Sequence, residues 1–391
     1  MTTEAIEALD EPQRLARDMA RRFAREQLAP QAAQRDREGQ VPRSLLQRMA
    51  ELGLFGMLVP AEYGGAGLDY PAYALALMEI AAGDGGCSTA LSVHNSLVCL
   101  PLLKYGTPEQ RRRFLPLLAR GDMLGCFCLT EPGAGSDAAA IATSARREGD
   151  NYVLNGTKQF ITSGRIAGLA LVFAVTDKTA GKRGLSAFLV PTATPGYRVA
   201  SSEKTMGQRG WDHSQIVFED CCIPASNRLG AEGDGLRIAL GNLESGRIGV
   251  GAQSIGMARA AYECALDYAR QRRSFGKPIV EHQAVAFRLA DMATQLRAAE
   301  LMVLAAARLR AQGQPCLQEA SMAKLFASEA AERICHDAIQ TLGGYGYASD
   351  FPLERIYRDV RVCSIYEGTS DIQRLVIARL IAAPQAIRTA Q

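Results

Sequence analysis

The sequence has little that would tie the chain to a nucleic acid, a membrane or a metal. Its 44 Lys and Arg nearly balance its 41 Asp and Glu, so net charge gives no reason to expect DNA or RNA binding. No apolar run approaches the roughly 20 residues that a membrane-spanning helix needs. Only 4 histidines occur, and no Cys/His spacing is typical of a metal site. We therefore expect no nucleic-acid partner, no membrane anchor and no bound metal.

The sequence also lacks the pattern of a secreted, disulfide-bonded protein. Among the 10 cysteines, Cys126/Cys128 and Cys221/Cys222 lie too close together for an ordinary disulfide framework. We expect the cysteines to be reduced and mostly buried. The first eleven residues are acidic, so they resemble neither the basic start of a signal peptide nor an acid-poor transit peptide. These features predict a cytoplasmic protein.

The spacing of apolar residues divides the chain into three blocks. Up to about residue 125 the pattern is helical, as in Leu15, Met19 and Phe23, which recur four apart. Short runs rich in Val, Ile, Phe and Leu follow, at residues 169–175, 185–190 and 215–219, and they indicate strands. Helical spacing then returns in a seam with a period of about 3.5 residues, which is typical of a helix bundle; its members are Val285, Leu289, Met292, Leu296, Ala299, Val303 and Ala306.

These blocks predict a multi-domain α+β protein. We expect an N-terminal all-helical domain at residues 1–125, a middle β domain at residues 126–235 and a C-terminal four-helix bundle at residues 236–391. The last ten residues are expected to be a frayed end.

The run SIYEGTSDI at residues 364–372 places a single carboxylate in a predicted loop before a helix. Glu367 could take a proton from a carbon acid, and Gly368 would let the backbone approach a substrate closely. Thr369 or Ser370 could cap the following helix. The alternative is a plain turn and helix cap without chemistry.

Two runs further upstream suggest a ligand site. LTEPGAGSD at residues 129–137 is a Gly-rich turn whose backbone N–H groups, with the Thr130 and Ser136 hydroxyls, could hold a ring cofactor or a phosphate. The alternative is a hairpin connection, although the turn is longer than a hairpin needs. NGTKQFITSG at residues 155–164 predicts a turn at Asn-Gly and then a strand in which Phe160 is a core residue.

Together, these three runs resemble the acyl-CoA dehydrogenase family of flavoproteins over nearly the whole chain. RRSFG at residues 272–276 and QTLGGYG at residues 340–346 resemble family segments that reach the flavin of a neighbouring subunit. The resemblance implies an FAD cofactor and a homotetramer. The implied FAD contacts within one subunit are Phe127, Leu129, Thr130, Gly135, Ser136, Phe160, Ile161, Thr162, Thr369 and Asp371. Those from the neighbour are Arg272, Phe275, Gln283, Gln340, Gly343 and Gly344.

The resemblance also implies a reaction. Glu367 would remove the α-proton of an acyl-CoA thioester, flavin N5 would take the β-hydride, and the electrons would pass to an electron-transferring flavoprotein. The product would be the trans-2-enoyl-CoA. One branch of the family carries its base directly before an arginine that here is Arg247, but this chain has Gly246 there. The base is therefore expected to be Glu367.

The expected substrate contacts come from several segments of the chain. They are Ser136, Glu244, Arg247, Tyr366 and Gly368. For Glu244 the alternative is a helix-surface pair with Arg247, three residues on.

The acyl group and the electron acceptor are less constrained. Relatives that act on glutaryl-CoA carry an arginine near residues 87–94, where this chain has Ser88, so a dicarboxylate is disfavoured and a short or branched acyl chain is expected. Flavin monooxygenases of this fold generally lack the catalytic Glu, so retention of Glu367 disfavours them. An acyl-CoA oxidase that uses oxygen and a non-catalytic flavin-fold binding protein remain as alternatives.

Overall fold

The computed structural model describes residues 9–382, so the predicted frayed end lies, from residue 383 on, outside the described part. The first part of the chain is helical. Its helices are α1 Glu11–Phe23, α2 Ala32–Glu38, α3 Arg43–Glu51, α4 Tyr70–Gly83, α5 Gly85–Ser92, α6 Leu100–Tyr105 and α7 Pro108–Ala119. A π-helical segment, Val93–Cys99, joins α5 to α6.

Capping side chains determine where several of these helices begin. Asp10, Asp69, Asp84 and Thr107 each accept a hydrogen bond from the backbone N–H three residues further on. The packed face of α1 differs from the spacing read in the sequence, because Leu15 is 63% exposed while Ala16, Ala20 and Phe23 are buried. Small alanines let α1 lie close against α4.

By length and composition, one helical stretch of the described residues could cross a membrane, even though no uninterrupted apolar run is that long. The continuous helical stretch Gly85–Tyr105 has a mean hydropathy of 1.2 over its most apolar window, and 89% of that window is buried. Its apolar side chains pack on neighbouring helices and on the first strand, as expected of a core helix.

A single eight-stranded sheet forms the middle of the chain. Its strands are β1 Gly125–Cys128, β2 Ser144–Glu148, β3 Asn151–Thr162, β4 Leu169–Val175, β5 Leu185–Pro191, β6 Tyr197–Ser202, β7 His213–Pro224 and β8 Arg228–Leu229. The order is β6-β7-β3-β2-β4-β5-β8, with β1 alongside β4. Only the β1–β4 and β2–β4 pairs are parallel.

Two local predictions fail inside β3. Asn155 and Gly156 form no turn; they pair with β2 and β7, and Gly156 has a φ of 150° beside an irregularity in the register. A side chain at Gly156 would meet Thr143 Oγ1 at 2.4 Å, so glycine serves close approach here. Phe160 is 61% exposed and has a φ of 58°, because a bulge between Lys158 and Ile161 interrupts the strand alternation.

Long helices dominate the rest of the chain. In order they are α8 Gly235–Gln271, the hairpin β9 Arg273–Ser274 and β10 Lys277–Pro278, α9 Gln283–Ala311, α10 Leu317–Leu342, α11 Gly344–Tyr347, α12 Leu353–Val360 and α13 Ser370–Ala382. α10 packs on α8, α9 and α13, and α4 packs on α8. The predicted seam is confirmed, since Leu289, Met292, Ala299, Val303 and Ala306 are buried.

The predicted α+β class with helical ends and a central sheet is confirmed. The cysteines also behave as expected: all are free, and only Cys222 and Cys264 are not buried. One apolar cluster combines residues of α4, such as Tyr73 and Leu77, with Ile248 and Ile255 of α8. The N-terminal helices and the bundle therefore share a core, and their boundary is where the site lies.

Candidate active site

Glu367 stands in a short loop between the turn Arg361–Ser364 and α13. It adopts a left-handed backbone conformation with a φ of 54°, and Gly368 follows with a φ of 91°. A non-glycine residue with positive φ is uncommon and persists where its surroundings impose it, often at functional sites. Thr369 caps α13, because its Oγ1 accepts the Ile372 N–H at 3.3 Å. The loop thus presents the carboxylate beside a helix start.

The carboxylate of Glu367 lies directly over the backbone of α8 at Gly246. A Cβ added to Gly246 would be 1.7 Å from Oε2 of Glu367, so any larger residue would force the carboxylate away. Oε2 is buried and has no hydrogen-bond partner in the described part of the chain. A buried acceptor without a partner needs an explanation, and a role in proton transfer would supply one.

Two buried cations oppose the effect of burial on Glu367. Burial raises the pKa of Glu367 to about 7, while the positive charges of Lys324 and Arg247 act to lower it. Burial in turn lowers the pKa of Lys324 to about 8. The Nη1 of Arg247 donates to Ser321 Oγ at 3.1 Å, and its Nε has no partner among the described residues. A carboxylate with a pKa near neutrality suits proton abstraction.

A line of residues on one face of α8 continues from Gly246 through Gly249 to Gln253. At Gly249 a Cβ would meet Ser92 Oγ at 2.4 Å, so the helical segments approach closely there. Gln253 Oε1 accepts hydrogen bonds from Tyr366 Oη and from Thr89 Oγ1, the latter at 3.0 Å. The α8 face that carries the Glu367 carboxylate therefore ends, two helical turns on, at a polar cluster.

The hydrogen bond from the Tyr366 hydroxyl to Gln253 holds this ring next to the base. Gly368, on the other side of the base, forms the turn with its positive φ. Glu244 lies one turn before the arginine and does not pair with it. Its carboxylate accepts from Arg310 Nη1 and from Cys316 Sγ, each at 3.3 Å. The alternative of a Glu244–Arg247 surface pair is therefore wrong, because the Glu244 carboxylate pairs with Arg310 of α9 instead.

The Gly-rich turn is held by a buried ion pair. Lys158 of β3, which has no exposed surface, donates from Nζ to Glu131 Oε1 at 2.7 Å and to Leu129 O at 3.0 Å. Glu131 also accepts the backbone N–H groups of Ala142 and Thr143. A buried charge is tolerated only when it is paired and hydrogen-bonded in this way. The two upstream runs therefore form one rigid unit.

The predicted flavin residues of the sheet domain differ in how they could act. Gly135, Ser136 and Phe160 are exposed, whereas the side chains of Leu129 and Ile161 point into the core and leave only their backbone available. The remaining residues, Phe127, Thr130 and Thr162, are half-buried. A Cβ at Gly135 would meet nothing within 4 Å, so the turn borders open space.

The residues expected to serve a neighbouring subunit all lie on the surface. They are Arg272, Phe275, Gln283, Gln340, Gly343 and Gly344. Phe275 is 95% exposed at the tip of the β9–β10 hairpin, and the Arg272 guanidinium lies 6.0 Å from the ring centre of Tyr345, which follows Gly344. The hairpin and the turn after α10 therefore meet at one face.

Comparison with known proteins identifies the chain. Family models match it in sequence: the acyl-CoA dehydrogenase N-terminal domain at residues 10–122, the middle domain at residues 126–221 and the C-terminal domain at residues 233–382. The chain belongs to the acyl-CoA dehydrogenase family. The enzyme is an oxidoreductase with the flavoprotein fold of that family, which is FAD-dependent and acts in β-oxidation.

Close relatives cover nearly the whole acyl-CoA dehydrogenase chain. It is 48% identical to the short-chain specific acyl-CoA dehydrogenase of Rattus norvegicus, covering 95% of this chain and 90% of the relative. Butyryl-CoA dehydrogenase from Megasphaera elsdenii superposes with a TM-score of 0.95 at 39% identity, covering 96% and 100%. A chain from a structure described as the electron transferring flavoprotein of Acidaminococcus fermentans has a TM-score of 0.95 at 43% identity, covering 96% and 99%.

The residues of the dehydrogenase fit an FAD. The exposed Phe160 ring, held at a positive φ, and the open backbone around Gly135 offer a flat face and unblocked amides to a ring system. The loop that carries Trp211 connects this face to α12, since Trp211 Nε1 donates to Ser163 Oγ at 2.9 Å and the Gln208 N–H donates to Asp359 Oδ1. Asp371 fits less well, because its side chain is 90% exposed and faces Arg374 at 3.6 Å.

Sequence reasoning missed the groups that support these residues. Lys158, Lys324 and Gln373 are each fully buried. Lys158 could have been found, since a lysine inside an apolar strand run needs an acid, and Glu131 stands in the preceding motif. Lys324 and Gln373 sit within helices whose apolar periodicity gives no sign that they face a loop.

Proposed function

We propose that this dehydrogenase converts a short, straight or branched acyl-CoA thioester into the trans-2-enoyl-CoA, with Glu367 as the base that removes the α-proton. The observation that carries the proposal is the carboxylate of Glu367, with its buried and unpartnered Oε2 and a pKa raised by burial to about 7. A thioester α-proton is weakly acidic, so its removal near neutral pH needs a base of this kind.

Other groups of the chain would assist proton removal. The backbone N–H of Glu367 would donate to the thioester oxygen, where negative charge develops. Arg247, with a free Nε beside the base, and Glu244, which faces Arg310, would contact the CoA portion. An FAD bound by residues 127–136, 160–162 and 369, and by residues 272, 275, 283, 340, 343 and 344 of a neighbour, would supply the acceptor for the β-hydride.

The shape of α8 supports a short acyl chain. Glycines at positions 246 and 249 let the Glu367 carboxylate and Ser92 Oγ lie close against one face of α8, and the cluster of Gln253, Tyr366 and Thr89 closes that face two turns on. The relatives named for short-chain and butyryl substrates agree with this limit. Ser88 is buried and donates to Gly85 O at 2.7 Å, so it offers no positive charge to a second carboxylate.

We also propose a homotetramer that passes its electrons to an electron-transferring flavoprotein. The exposed Arg272, Phe275 and Gln340 support an assembly in which one subunit completes the FAD site of another. We expect a yellow protein with about one FAD per chain by absorbance and a tetramer by sedimentation. A colourless monomer that takes up no added FAD would contradict the assembly. The cytoplasmic location stays a prediction.

Anaerobic titration of the purified protein with straight, branched and dicarboxylic acyl-CoAs tests the reaction. We expect C4 to C6 saturated acyl-CoAs to bleach the flavin and glutaryl-CoA to do so poorly. Reoxidation should be faster with an electron-transferring flavoprotein than with air. Equal reoxidation by oxygen would indicate an acyl-CoA oxidase, and absence of bleaching with every thioester would indicate a non-catalytic flavin-binding protein.

A further inference from the structure

Lys324 of α10 is buried without any exposed surface, and it contacts the loop that carries Glu367. Its Nζ donates to the carbonyl oxygen of Gly368 at 2.8 Å. Gln373 of α13, also fully buried, donates from Nε2 to the same oxygen at 2.9 Å and to Glu367 O at 3.4 Å. The backbone after the base is therefore held by one charged donor and one neutral donor.

A buried lysine that donates to a neutral carbonyl needs a further reason to be charged. Lysine is almost never fully buried unless paired, because the loss of hydration is costly. The groups whose charges act on Lys324 are Cys363, Glu367, Arg247 and Glu329. Glu329 pairs with Arg374 at the surface, and the pKa of the Cys363 thiol is raised by burial. Glu367 is thus the buried carboxylate available to Lys324.

We infer that Lys324 is a positioning residue for the base: it holds the Glu367–Gly368 backbone in its left-handed conformation and supplies positive charge that favours the ionised carboxylate. The inference rests on the proposed role of Glu367 as the base. Both effects follow from a single ammonium group, since the hydrogen bond restrains the loop and the charge acts through space. Gln373 contributes the restraint alone.

Few other groups around Glu367 could both restrain the loop and favour the ionised carboxylate. Lys324 of α10 and Arg247 of α8 both favour the carboxylate, and the phenol of Tyr73 on α4, whose own pKa burial raises, is neutral near pH 7. Arg247 donates to Ser321 and does not contact the loop backbone in any described hydrogen bond. Among the described groups around Glu367, Lys324 is the one that combines a positive charge with a hydrogen bond to the loop backbone.

A first experiment needs no substrate. Hydrogen exchange of the FAD-loaded protein, followed by mass spectrometry, would compare peptides that cover residues 361–372. We expect faster exchange there in Lys324→Met and in Gln373→Leu than in the parent, because each removes a donor to Gly368 O. Unchanged exchange in Lys324→Met would overturn the restraint. If Lys324→Met does not fold, Lys324→Arg, which retains a donor, should show parental exchange, and faster exchange there would also count against the inference.

A second experiment separates charge from restraint. The rate of anaerobic flavin reduction by a C4 acyl-CoA would be measured against pH. Loss of an opposite charge shifts a pKa by about one unit or more, so near pH 7 Lys324→Met should lose about five-fold more rate than Gln373→Leu, and this additional loss should disappear at higher pH. Gln373→Leu should reduce its flavin more slowly than the parent but with the parental pH midpoint. Lys324→Arg, which keeps the positive charge, should also show the parental midpoint. A Lys324→Met profile with the parental midpoint would overturn the charge effect, whereas failure of the parent to bleach would count against the proposed function alone.

Discussion

The Glu367 carboxylate occupies the volume that a side chain at Gly246 would need: a Cβ on Gly246 would lie 1.7 Å from the Oε2 atom of Glu367. The residue types at the two positions are therefore coupled, because a side chain on α8 here excludes the carboxylate arriving from the loop. A glycine in the middle of a helix costs about 0.5–1 kcal/mol relative to alanine. Here the glycine makes the room that the base needs.

Gly246→Ala should consequently separate activity from folding. We expect the variant to keep its FAD and its thermal stability but to reduce its flavin with acyl-CoA about 100-fold more slowly, since the base is displaced. Rapid mixing under anaerobic conditions measures the rate. Gly241→Ala is the matched control, because a Cβ on Gly241 of the same helix meets only Tyr105 Oη, at 3.5 Å. Equal rates in the two variants would argue against the coupling.

Glu367→Gln should abolish proton removal while leaving the loop intact. The amide keeps the shape of the carboxylate but cannot accept a proton, and loss of a general base typically costs 10²–10⁴-fold. FAD content and the affinity for an enoyl-CoA product, measured by absorbance titration, should change little. Glu244→Gln is the control, and its effect should fall on the apparent affinity for substrate. The assignment fails if Glu367→Gln reduces its flavin near the parental rate while Glu244→Gln does not.

The rate of flavin reduction should rise with pH through about pH 7. Burial raises the pKa of Glu367 to about 7, and only the deprotonated form can act as a base. Stability should change in the opposite direction. Between the ordinary pKa of 4.5 and about 7, the folded state binds more protons than the unfolded state, so the free energy of unfolding falls as pH rises.

Denaturant unfolding checks this sign. Glu367→Gln should gain stability relative to the parent at about pH 8 and gain less at about pH 5, since the neutral amide avoids burying a charge. A stability difference that does not vary with pH would show that the carboxylate titrates normally.

Lys158→Met should weaken both the fold and the flavin site. The substitution leaves Glu131 buried without its cation, which costs about 3–5 kcal/mol, and it frees the Gly-rich turn from β3. We expect a lower unfolding midpoint and partial loss of FAD on gel filtration. Lys178→Met, in the exposed loop after β4, should match the parent. Full FAD retention in Lys158→Met would mean that the turn does not depend on the ion pair.

Local sequence patterns predicted many of the helices and strands, because these elements depend mainly on residues that are close in the chain. The period of the seam from Val285 to Ala306, the apolar runs at residues 169–175 and 185–190, and the helix cap at Thr369 depend on neighbours a few residues apart. The prediction that Phe160 is a core residue was wrong because a bulge in β3 reverses the face on which its ring lies. The spacing of neighbouring residues does not indicate such a bulge.

The chemical groups of the site follow from the sequence alone: one carboxylate in a loop before a helix, a Gly-rich turn, and a glycine directly before Arg247, where one branch of the family carries its base. Tertiary structure alone decided how those groups act. α8, α10 and the loop before α13 meet only after folding, and this meeting places Lys324 on Gly368 and the Glu367 carboxylate over Gly246. The pKa of a base depends on burial and on charges brought from distant parts of the chain, which no run of neighbouring residues contains.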